Sequence, residues 1–314
     1  MPESDRRCSA GRASASCGSL SAVANVAVIA HAEKTFGGGL PELRRVLDAE
    51  GVRSPIWHEV PKSKKAPKQV RRAIEKGADL ILVWGGDGLV RRCIDAVGDA
   101  KVDIGILPAG TSNLFATHFG IPRDVHEAVR IALLGDRRRV DAGRFNGERF
   151  ATMAGAGFDA AMIRGADALK ERLGRAAYLY SGARNLRSES FGVTLKVDGT
   201  PWYDGPATCV LVGNIGDLFG GVDVFPDASV DDGLLDVAVM TAEGPLQVAR
   251  TVVRTAVGDP QKSPFVRRTK ARKLTAKLDR DVRYELDGGD QKKVRKFTVE
   301  VEPAAVTVRV PRAT

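Results

Sequence analysis

The segment Trp-Gly-Gly-Asp-Gly-Leu at residues 84–89 constrains the fold of this chain more than any other. It ends an apolar run that begins at Leu80 and precedes a helical apolar pattern that continues to Val97. A strand that leads through a Gly-rich turn into a helix directs unpaired backbone N–H groups at one point, where an anion can bind. Glycine permits the sharp turn and the close approach of a ligand. The carboxylate of Asp87 fits there when Mg²⁺ or a proton lies between it and a phosphate, so the segment indicates nucleotide phosphate chemistry.

Strand and helix patterns alternate from residue 24 to about residue 138. Strands are predicted at 25–30, 56–60, 79–84 and 102–107. Helices are predicted at 40–50 and 67–76, from the Gly-rich turn to about residue 97, and at 123–134. Such alternation is typical of a parallel sheet with helices on both faces. Ligands of these sheets bind at the carboxyl ends of the strands, which is where the Gly-rich turn falls.

After about residue 138 the predicted elements are mainly short strands. Short β-rich segments are predicted at 140–145, 149–153, 191–197, 208–213, 235–240, 273–277 and 297–301. The turn pairs between them are Asn146-Gly147, Asp198-Gly199 and Asp232-Gly233, a pattern typical of an antiparallel sandwich. Helices are predicted at 166–186 and 246–257. We therefore expect a disordered tail at 1–23, an α/β domain at 24–138 and a β-sandwich domain at 139–314.

Composition narrows the class of protein further. No apolar stretch is long enough to cross a bilayer, so a transmembrane protein is not expected. The net charge of +9 favours an anionic partner, which could be a nucleotide, an acidic lipid surface or nucleic acid. Basic residues are concentrated between Lys262 and Arg283, as either a solvated face or a phosphate- or membrane-attracting patch. Aromatic residues are not interleaved with this run, so no nucleic acid is expected. Four scattered cysteines without metal spacing indicate a reducing, cytoplasmic compartment.

A second Gly-rich turn, Pro108–Leu114, follows the next predicted strand. Thr111 and Asn113 offer a hydroxyl and an amide that could bind phosphate or ribose, although Thr111 could instead cap the following helix. Parallel strands place both glycine turns at one edge of the sheet, so together they predict a cradle for an anion. His118 lies close to this turn and could line the cleft or serve a structural role.

Two acidic turns occur in the second half. The turn around Asp231 and Asp232 could hold a hard cation through oxygen ligands or could be an ordinary Asp-Gly hairpin turn. The segment 285–290 places Asp287 just after a predicted strand. Phosphoryl transfer to a hydroxyl requires a carboxylate that orients the acceptor and takes its proton. By itself this second turn is a weak motif.

Together these segments resemble the diacylglycerol kinase catalytic-domain family of lipid kinases, particularly its soluble bacterial members. The resemblance extends from about residue 24 to 311. The matching residues are Gly85-Gly86-Asp87-Gly88, Pro108-Ala109-Gly110-Thr111-Ser112-Asn113, Val140-Asp141-Ala142-Gly143, Ala154-Gly155-Ala156-Gly157-Phe158-Asp159, Val212-Gly213-Asn214, Pro226-Asp227-Ala228, Asp231-Asp232-Gly233-Leu234-Leu235-Asp236 and Leu286-Asp287-Gly288.

The resemblance implies a fold like that of NAD kinases and diacylglycerol kinases, with a nucleotide-binding α/β domain, a lipid-binding β-sandwich and catalysis between them. ATP would bind at Gly85, Gly86, Asp87, Gly88, Gly110, Thr111 and Asn113. Asp87 would lie near Mg²⁺-bound phosphates, and Asp287 would be the general base. Asp231 and Asp232 would hold a structural Mg²⁺. The last strand, at 305–310, is expected to pair near the domain junction.

The chain departs from the family pattern in four places. His31 and the residues up to Lys34 replace the Asn-Pro and Ser-Gly that often end the first strand. Leu89 replaces the usual threonine, as an apolar residue does in related sphingoid-base kinases. Arg92 stands where many members have glutamate, and Gly289 replaces the glutamate of Asp-Gly-Glu. Asp290 can replace that lost carboxylate only in part.

These observations predict an ATP- and Mg²⁺-dependent kinase that phosphorylates a hydroxyl of diacylglycerol or a related lipid. We expect a cytoplasmic protein that associates transiently with the inner face of the membrane. Leu89 and Gly289 keep open a nucleotide- or lipid-binding homologue without catalysis. A kinase acting on a sphingoid base or on NAD is a further alternative, although the two acidic turns argue against NAD. The acceptor lipid, the role of residues 1–23 and the formation of a homodimer stay open.

Overall fold

The computed structural model of the chain describes residues 25–157, 190–216, 224–242, 265–289 and 292–313. The tail at 1–23 and the helices predicted at 166–186 and 246–257 lie outside the described residues.

The first half is an α/β unit whose strands are all parallel. Its elements are β1 (Val26–His31), α1 (Gly39–Ala49), β2 (Ile56–Val60), a 3₁₀ turn (Ser63–Lys65), α2 (Ala66–Glu75), β3 (Leu80–Gly85), α3 (Asp87–Val97), β4 (Asp103–Pro108), α4 (Leu114–His118) and α5 (Val125–Leu134). The strand order is β4-β3-β1-β2. Nearly every residue of β1, β3 and β4 is buried, as expected of parallel strands covered on both faces. The predicted fold class of this half is confirmed.

The second half is antiparallel, again as predicted. Its strands are β5 (Asp136–Phe145), β6 (Glu148–Phe150), β7 (Met153–Ala156), β8 (Phe191–Val197), β9 (Thr200–Ala207), β10 (Cys209–Gly213), β11 (Leu235–Met240), β12 (Val266–Ala271), β13 (Lys273–Leu286) and β14 (Lys292–Val310). Asn146-Gly147 and Asp198-Gly199 form two-residue hairpin turns with positive φ. Asp232-Gly233 does not connect two paired strands but belongs to the turn that precedes β11. The core of this half contains a stack of Phe145 with Tyr284 and Phe297.

Strand β14 connects the two halves. Its first part, as far as Glu300, pairs with β13. From Val299 onwards it pairs with β5, with an irregularity between Glu302 and Val306, and near its end it pairs in parallel with β4. Thr307 of this last part lies opposite Asp103 of β4. The expected boundary near residue 138 falls inside β5. The result is a continuous sheet with the order β12-β11-β10-β7-β13-β14-β4-β3-β1-β2.

A buried arginine ties the end of α3 to the second half. The guanidinium of Arg149 donates to Glu302 at 2.5 Å and to the carbonyl of Gly98 at 2.9 Å. Its backbone N–H donates to Asp95 at 3.1 Å. The Arg149 side chain is only 5% exposed, so these bonds replace the hydration that the charge has lost. Across the described ranges, no helix combines the length and apolar character needed to cross a bilayer.

The substitution Arg149→Ala should therefore lower the free energy of unfolding by about 2–3 kcal/mol, because it removes the buried hydrogen bonds to Glu302 and to the Gly98 carbonyl, although Arg144 still pairs with Glu302. The matched control is Lys273→Ala, which breaks an exposed pair with Glu300 and should cost less than about 1 kcal/mol. Urea unfolding of the three proteins measures both. Equal losses in the two variants would contradict the assigned role of Arg149.

Candidate active site

The two glycine turns lie side by side and touch. Strands β3 and β4 are neighbours, and Gly85 lies opposite Pro108 where both strands end. A Cβ on Gly110 would lie 2.4 Å from the Cα of Gly86, and one on Gly86 would lie 3.1 Å from the Cα of Gly110. Only glycine lets the two backbones approach this closely. The predicted pairing of the turns at one sheet edge is thus found in the structure.

The side chains of the second turn divide into two groups. Asn113 is buried in a left-handed conformation, where its amide accepts from the Gly110 N–H and donates to the Gly110 carbonyl, both at 2.9 Å. This side chain therefore shapes the turn. Thr111 and Ser112 instead line the cavity beside the turn. Asn113, rather than Thr111, occupies the N-cap position of α4, so the capping alternative for Thr111 is not found.

Asp87 is the first residue of α3 and points towards the second turn. Its carboxylate accepts the backbone N–H of Phe115 at 3.1 Å. Burial raises the pKa of Asp87 above its ordinary value, the amides of Phe115 and Leu114 oppose this, and the charge of Asp287 raises it again. A carboxylate in this environment is stabilised by any cation that reaches it.

Asp287 follows β13 and is held by several donors. Its Oδ1 accepts from the backbone N–H groups of Thr152 and Met153, each at 2.8 Å, and from the Thr152 hydroxyl at 2.5 Å. Its Oδ2 accepts the Ala151 N–H at 2.8 Å. The residue has a φ of +48° and is 6% exposed. These bonds hold the carboxylate in one orientation at the end of the strand.

Both carboxylates line one cavity of about 250 Å³, here named the junction cavity. Its walls are formed by His31, Lys34, Ser63, Gly86, Asp87, Gly88, Leu89, Gly110, Thr111, Ser112, Leu114, Thr152, Met153, Asp287 and Gly288. The cavity thus joins the glycine turns of the first half to the Asp287 turn of the second. It can bind an anion at the turns and a cation between the carboxylates. Mg²⁺ in such sites takes one or two carboxylates and completes its shell with phosphate oxygens and water.

Sequence reasoning missed five lining residues: His31, Lys34, Ser63, Thr152 and Met153. The signal for the first three was present, because β1 and β2 end at the same edge of the sheet as β3. Thr152 and Met153 had no local signal, since the antiparallel pairing of β7 with β13 brings them to Asp287. His118, which the sequence left open, is exposed and packs edge-on against Phe119.

Leu89 is buried, with 1% of its surface exposed, and packs against Gly85. A Cβ on Gly85 would lie 2.6 Å from a methyl group of Leu89. The side chain thus belongs largely to the core beneath the turn and provides no hydroxyl to the junction cavity. The structure thus agrees with the inference from the sequence that the threonine hydroxyl usual at this position in the family is missing here.

The acidic turn before β11 is arranged differently from the junction cavity. Asp231 pairs with Arg138 at 2.9 Å, and Asp232 accepts from Lys270 at 2.7 Å. Neither lines the junction cavity. In the part of the chain that the structure describes, no three His, Cys, Asp or Glu side chains are grouped to hold a metal ion. The carboxylates of Asp231 and Asp232 each have a basic partner already, so the geometry of this turn does not fit a divalent cation. The structural Mg²⁺ at Asp231 and Asp232 stays a prediction without geometric support.

A cavity at the junction of a parallel α/β unit and an antiparallel sandwich is the arrangement of the fold that NAD kinases and diacylglycerol kinases share. Sequence comparison agrees. The model of the diacylglycerol kinase catalytic domain matches residues 27–145, and that of the YegS C-terminal NAD kinase beta sandwich-like domain matches residues 152–310. The chain therefore belongs to the lipid kinase family that combines these two domains.

Individual relatives support the same assignment. The chain is 27% identical over 288 residues to the "Probable lipid kinase YegS-like" protein of Klebsiella pneumoniae (strain 342), covering 88% of this chain and 93% of the relative. It is 28% identical over 253 residues to the lipid kinase YegS of Escherichia coli (strain K12), with 78% and 83% coverage.

Solved structures agree in fold. A putative diacylglycerol kinase from Bacillus anthracis str. Sterne aligns with a TM-score of 0.75 at 23% identity, covering 92% of this chain and 98% of that one. An NAD kinase from Archaeoglobus fulgidus in complex with ATP aligns with a TM-score of 0.51 at 11% identity, with 90% and 92% coverage. At these identities the alignments establish the fold alone.

The raised pKa of Asp87 predicts a pH-dependent effect on stability. A carboxyl whose pKa is higher in the folded than in the unfolded protein destabilises the fold once it is ionised. This loss of stability is absent at pH values below the pKa of the carboxyl in the unfolded protein, and it is complete at pH values above its pKa in the folded protein. Asp87→Asn keeps the acceptor for Phe115 and should raise the melting temperature at pH 8 by about 2–4 °C, with a gain that shrinks towards pH 4.

The matched control for this prediction is Asp281→Asn, at an exposed position of β13. Its melting temperature should follow that of the parent protein at both pH values. Thermal unfolding followed by circular dichroism is the measurement. A gain at Asp87 that is equal at pH 4 and pH 8 would exclude the assigned electrostatic cause.

Proposed function

We propose that this kinase transfers the γ-phosphate of ATP to a hydroxyl of a membrane lipid, diacylglycerol or a related molecule, in the junction cavity. The observation that carries the proposal is the meeting of Asp87 and Asp287 in one cavity with both glycine turns. Phosphoryl transfer needs an anion site, a place for a metal and a carboxylate at the acceptor, and the junction cavity offers all three.

The donor phosphates are proposed to bind where the two glycine turns touch. Gly85–Gly88 leads into α3, so the N-terminus of that helix contributes N–H groups and a favourable dipole. Gly110 and the hydroxyl of Thr111 form the opposite wall. A volume of about 250 Å³ is smaller than most whole-ligand pockets. The phosphate chain therefore fits inside, with the nucleoside extending outwards.

Asp87 is the proposed protein ligand for Mg²⁺. Burial and the charge of Asp287 both raise the pKa of Asp87, so a cation that neutralises it relieves an unfavourable interaction. When bound, Mg²⁺ would neutralise charge on the transferred phosphoryl group. Asp87 itself is positioned by the Phe115 N–H, which keeps its carboxylate directed into the cavity.

Asp287 is the proposed general base. Among described residues Oδ1 accepts three hydrogen bonds and Oδ2 one, which leaves Oδ2 able to accept a bond from a substrate hydroxyl. The hydroxyl oxygen forms a bond to the γ-phosphorus as the bond to the β,γ-bridging oxygen breaks. The hydroxyl proton passes to Asp287, and ADP leaves. The donors from Ala151, Thr152 and Met153 hold the carboxylate in position throughout.

The acceptor is proposed to be a lipid because the family consists of lipid kinases and because a basic face suits an anionic membrane surface. On β13 and β14, Lys277 lies directly opposite Lys296, and both are exposed. Like charges in such positions destabilise a sheet unless an anion compensates them. Exposed Arg267 of β12 lies in the basic run predicted from the sequence. Transient association with the cytoplasmic face of the membrane follows from this proposal.

A second candidate is a homologue that binds nucleotide or lipid without transfer. Buried Leu89 provides no hydroxyl to phosphate, and Gly289 provides no carboxylate beside Asp287. Binding of ATP without phosphorylation of any lipid would favour this candidate. A sphingoid base or NAD as acceptor is distinguished by the identity of the labelled product.

Asp287→Asn should lower lipid phosphorylation by about 10²–10⁴-fold, because the amide cannot take the hydroxyl proton. Nucleotide affinity should be unchanged. The assay combines the protein, labelled ATP, Mg²⁺ and a total lipid extract, and identifies the labelled product by chromatography and mass spectrometry. Asp281→Asn is the control, and omission of Mg²⁺ should remove the product. Full turnover by Asp287→Asn would refute the base assignment.

The double substitution Lys277→Gln with Lys296→Gln should weaken binding to vesicles rich in phosphatidylglycerol by about five- to thirty-fold, since each basic residue near an anionic surface contributes about 1 kcal/mol. Binding to phosphatidylcholine vesicles should not change. The control is Lys68→Gln with Lys76→Gln, at exposed positions of the first half. Vesicle sedimentation measures both. Unaltered affinity for the anionic vesicles would exclude this face as the membrane contact.

A further inference from the structure

Three polar side chains of the junction cavity come from the segments that follow β1 and β2 or from the last residue of β1. His31 ends β1, Lys34 follows it, and Ser63 begins the 3₁₀ turn after β2. The N–H of Ala32 donates to the carbonyl of Val60 at 2.9 Å, which holds the ends of these two strands together. His31 and Lys34 lie in the segment where the chain departs from the pattern of its family, and Ser63 lies in the turn after β2.

Lys34 is held in place by a buried tryptophan. The indole N–H of Trp84 donates to the Lys34 carbonyl at 3.0 Å, and Trp84 is 1% exposed. Trp84 directly precedes the glycine turn and lies opposite Ala30 on the neighbouring strand β1. The same residue therefore fixes the loop that carries Lys34 and the start of the turn. The N–H of Lys34 also donates to the His31 carbonyl at 3.1 Å.

His31 presents a donor beside Lys34. Its Nδ1 accepts the Glu33 N–H at 3.3 Å, so the neutral ring carries its proton on Nε2. Burial lowers the pKa of His31, Glu33 opposes this and the ammonium of Lys34 adds to it. Burial and the nearby Lys34 ammonium thus favour the neutral form of the ring.

The charge of the junction cavity makes Lys34 important. Among the described residues in its walls, Asp87 and Asp287 are acidic, and Lys34 is the one lysine or arginine. A nucleoside triphosphate brings further negative charge next to both carboxylates. Leu89 offers no hydroxyl to share that charge. A single ammonium beside the turns is therefore the protein's own positive charge for the phosphates.

We infer that Lys34 binds the phosphates of the nucleotide beyond the first, that the Nε2–H of His31 and the hydroxyl of Ser63 assist it, and that Trp84 acts as a positioning residue through Lys34. The ligand class is a nucleoside di- or triphosphate. This inference rests on the proposed function and deepens its donor site. In this chain the three side chains provide phosphate contacts beside the glycine turns, where Leu89 provides none.

The test compares two fluorescent nucleotides, the N-methylanthraniloyl derivatives of ATP and AMP, each with Mg²⁺. Lys34→Met should weaken binding of the ATP derivative by about ten- to a hundred-fold and leave the AMP derivative within about two-fold, because only the former has the distal phosphates. Lys34→Arg should retain most of the affinity. Lys101→Met, at an exposed position before β4, is the matched control.

Trp84→Phe removes the indole donor and keeps an aromatic ring. It should weaken binding of the ATP derivative by about three- to ten-fold. Combining it with Lys34→Met should cause no further loss, because the two residues act in series. A purely structural role would instead give additive losses and would weaken AMP binding equally. Circular dichroism confirms that each variant is folded.

Unchanged ATP affinity in Lys34→Met, or an equal loss of affinity for the AMP and ATP derivatives, would overturn the inference. If the wild-type protein still phosphorylates a lipid, the proposed function is unaffected by that result. A selective loss in Lys34→Met, together with no lipid product from the wild-type protein, would support the inference and refute the proposed acceptor. Absence of ATP binding by the wild-type protein would overturn both.

Discussion

The pairing of β14 with strands of both halves is the interaction on which the rest of the structure depends. This strand pairs with β13 as far as Glu300, with β5 from Val299 onwards, and with β4 near its end. The sheet is thereby continuous, and the end of β13 lies at a defined position relative to the ends of β3 and β4. Asp287 and Asp87 share a cavity because of this continuity. The buried bonds of Arg149 reinforce it beside α3.

The site is built at some cost to stability. Two carboxylates lie in one cavity, and burial together with their mutual repulsion raises the pKa of Asp87. Asp287 adopts a left-handed conformation, which residues other than glycine rarely do. The hydrogen bonds from Ala151, Thr152 and Met153 offset part of this cost. Such local strain and repulsion are typical of sites that are complete only with a ligand.

Much of the first half could be predicted from local pattern. The buried runs of β1, β3 and β4 are too apolar to be solvent-facing strands, and the helices between them imply parallel pairing. That pairing already places the turns at Gly86 and Gly110 together. It also implies that the residue after β1 lies nearby, yet Lys34 carries no motif and was not assigned. The two-residue turn at Asn146 was equally predictable, whereas the Asp232-Gly233 pair, which looks the same in sequence, forms no hairpin.

By itself, the sequence determined the two fold classes, the glycine turns and the acidic turn at Asp287, because these depend on residue type and short-range spacing. The tertiary structure decided which polar groups meet. It bonded the amide of Asn113 to the turn itself and gave Asp231 and Asp232 basic partners from distant strands. It also brought Thr152 to Asp287. Such contacts depend on strand order and register, which pair residues far apart in the chain and leave no local trace in the sequence.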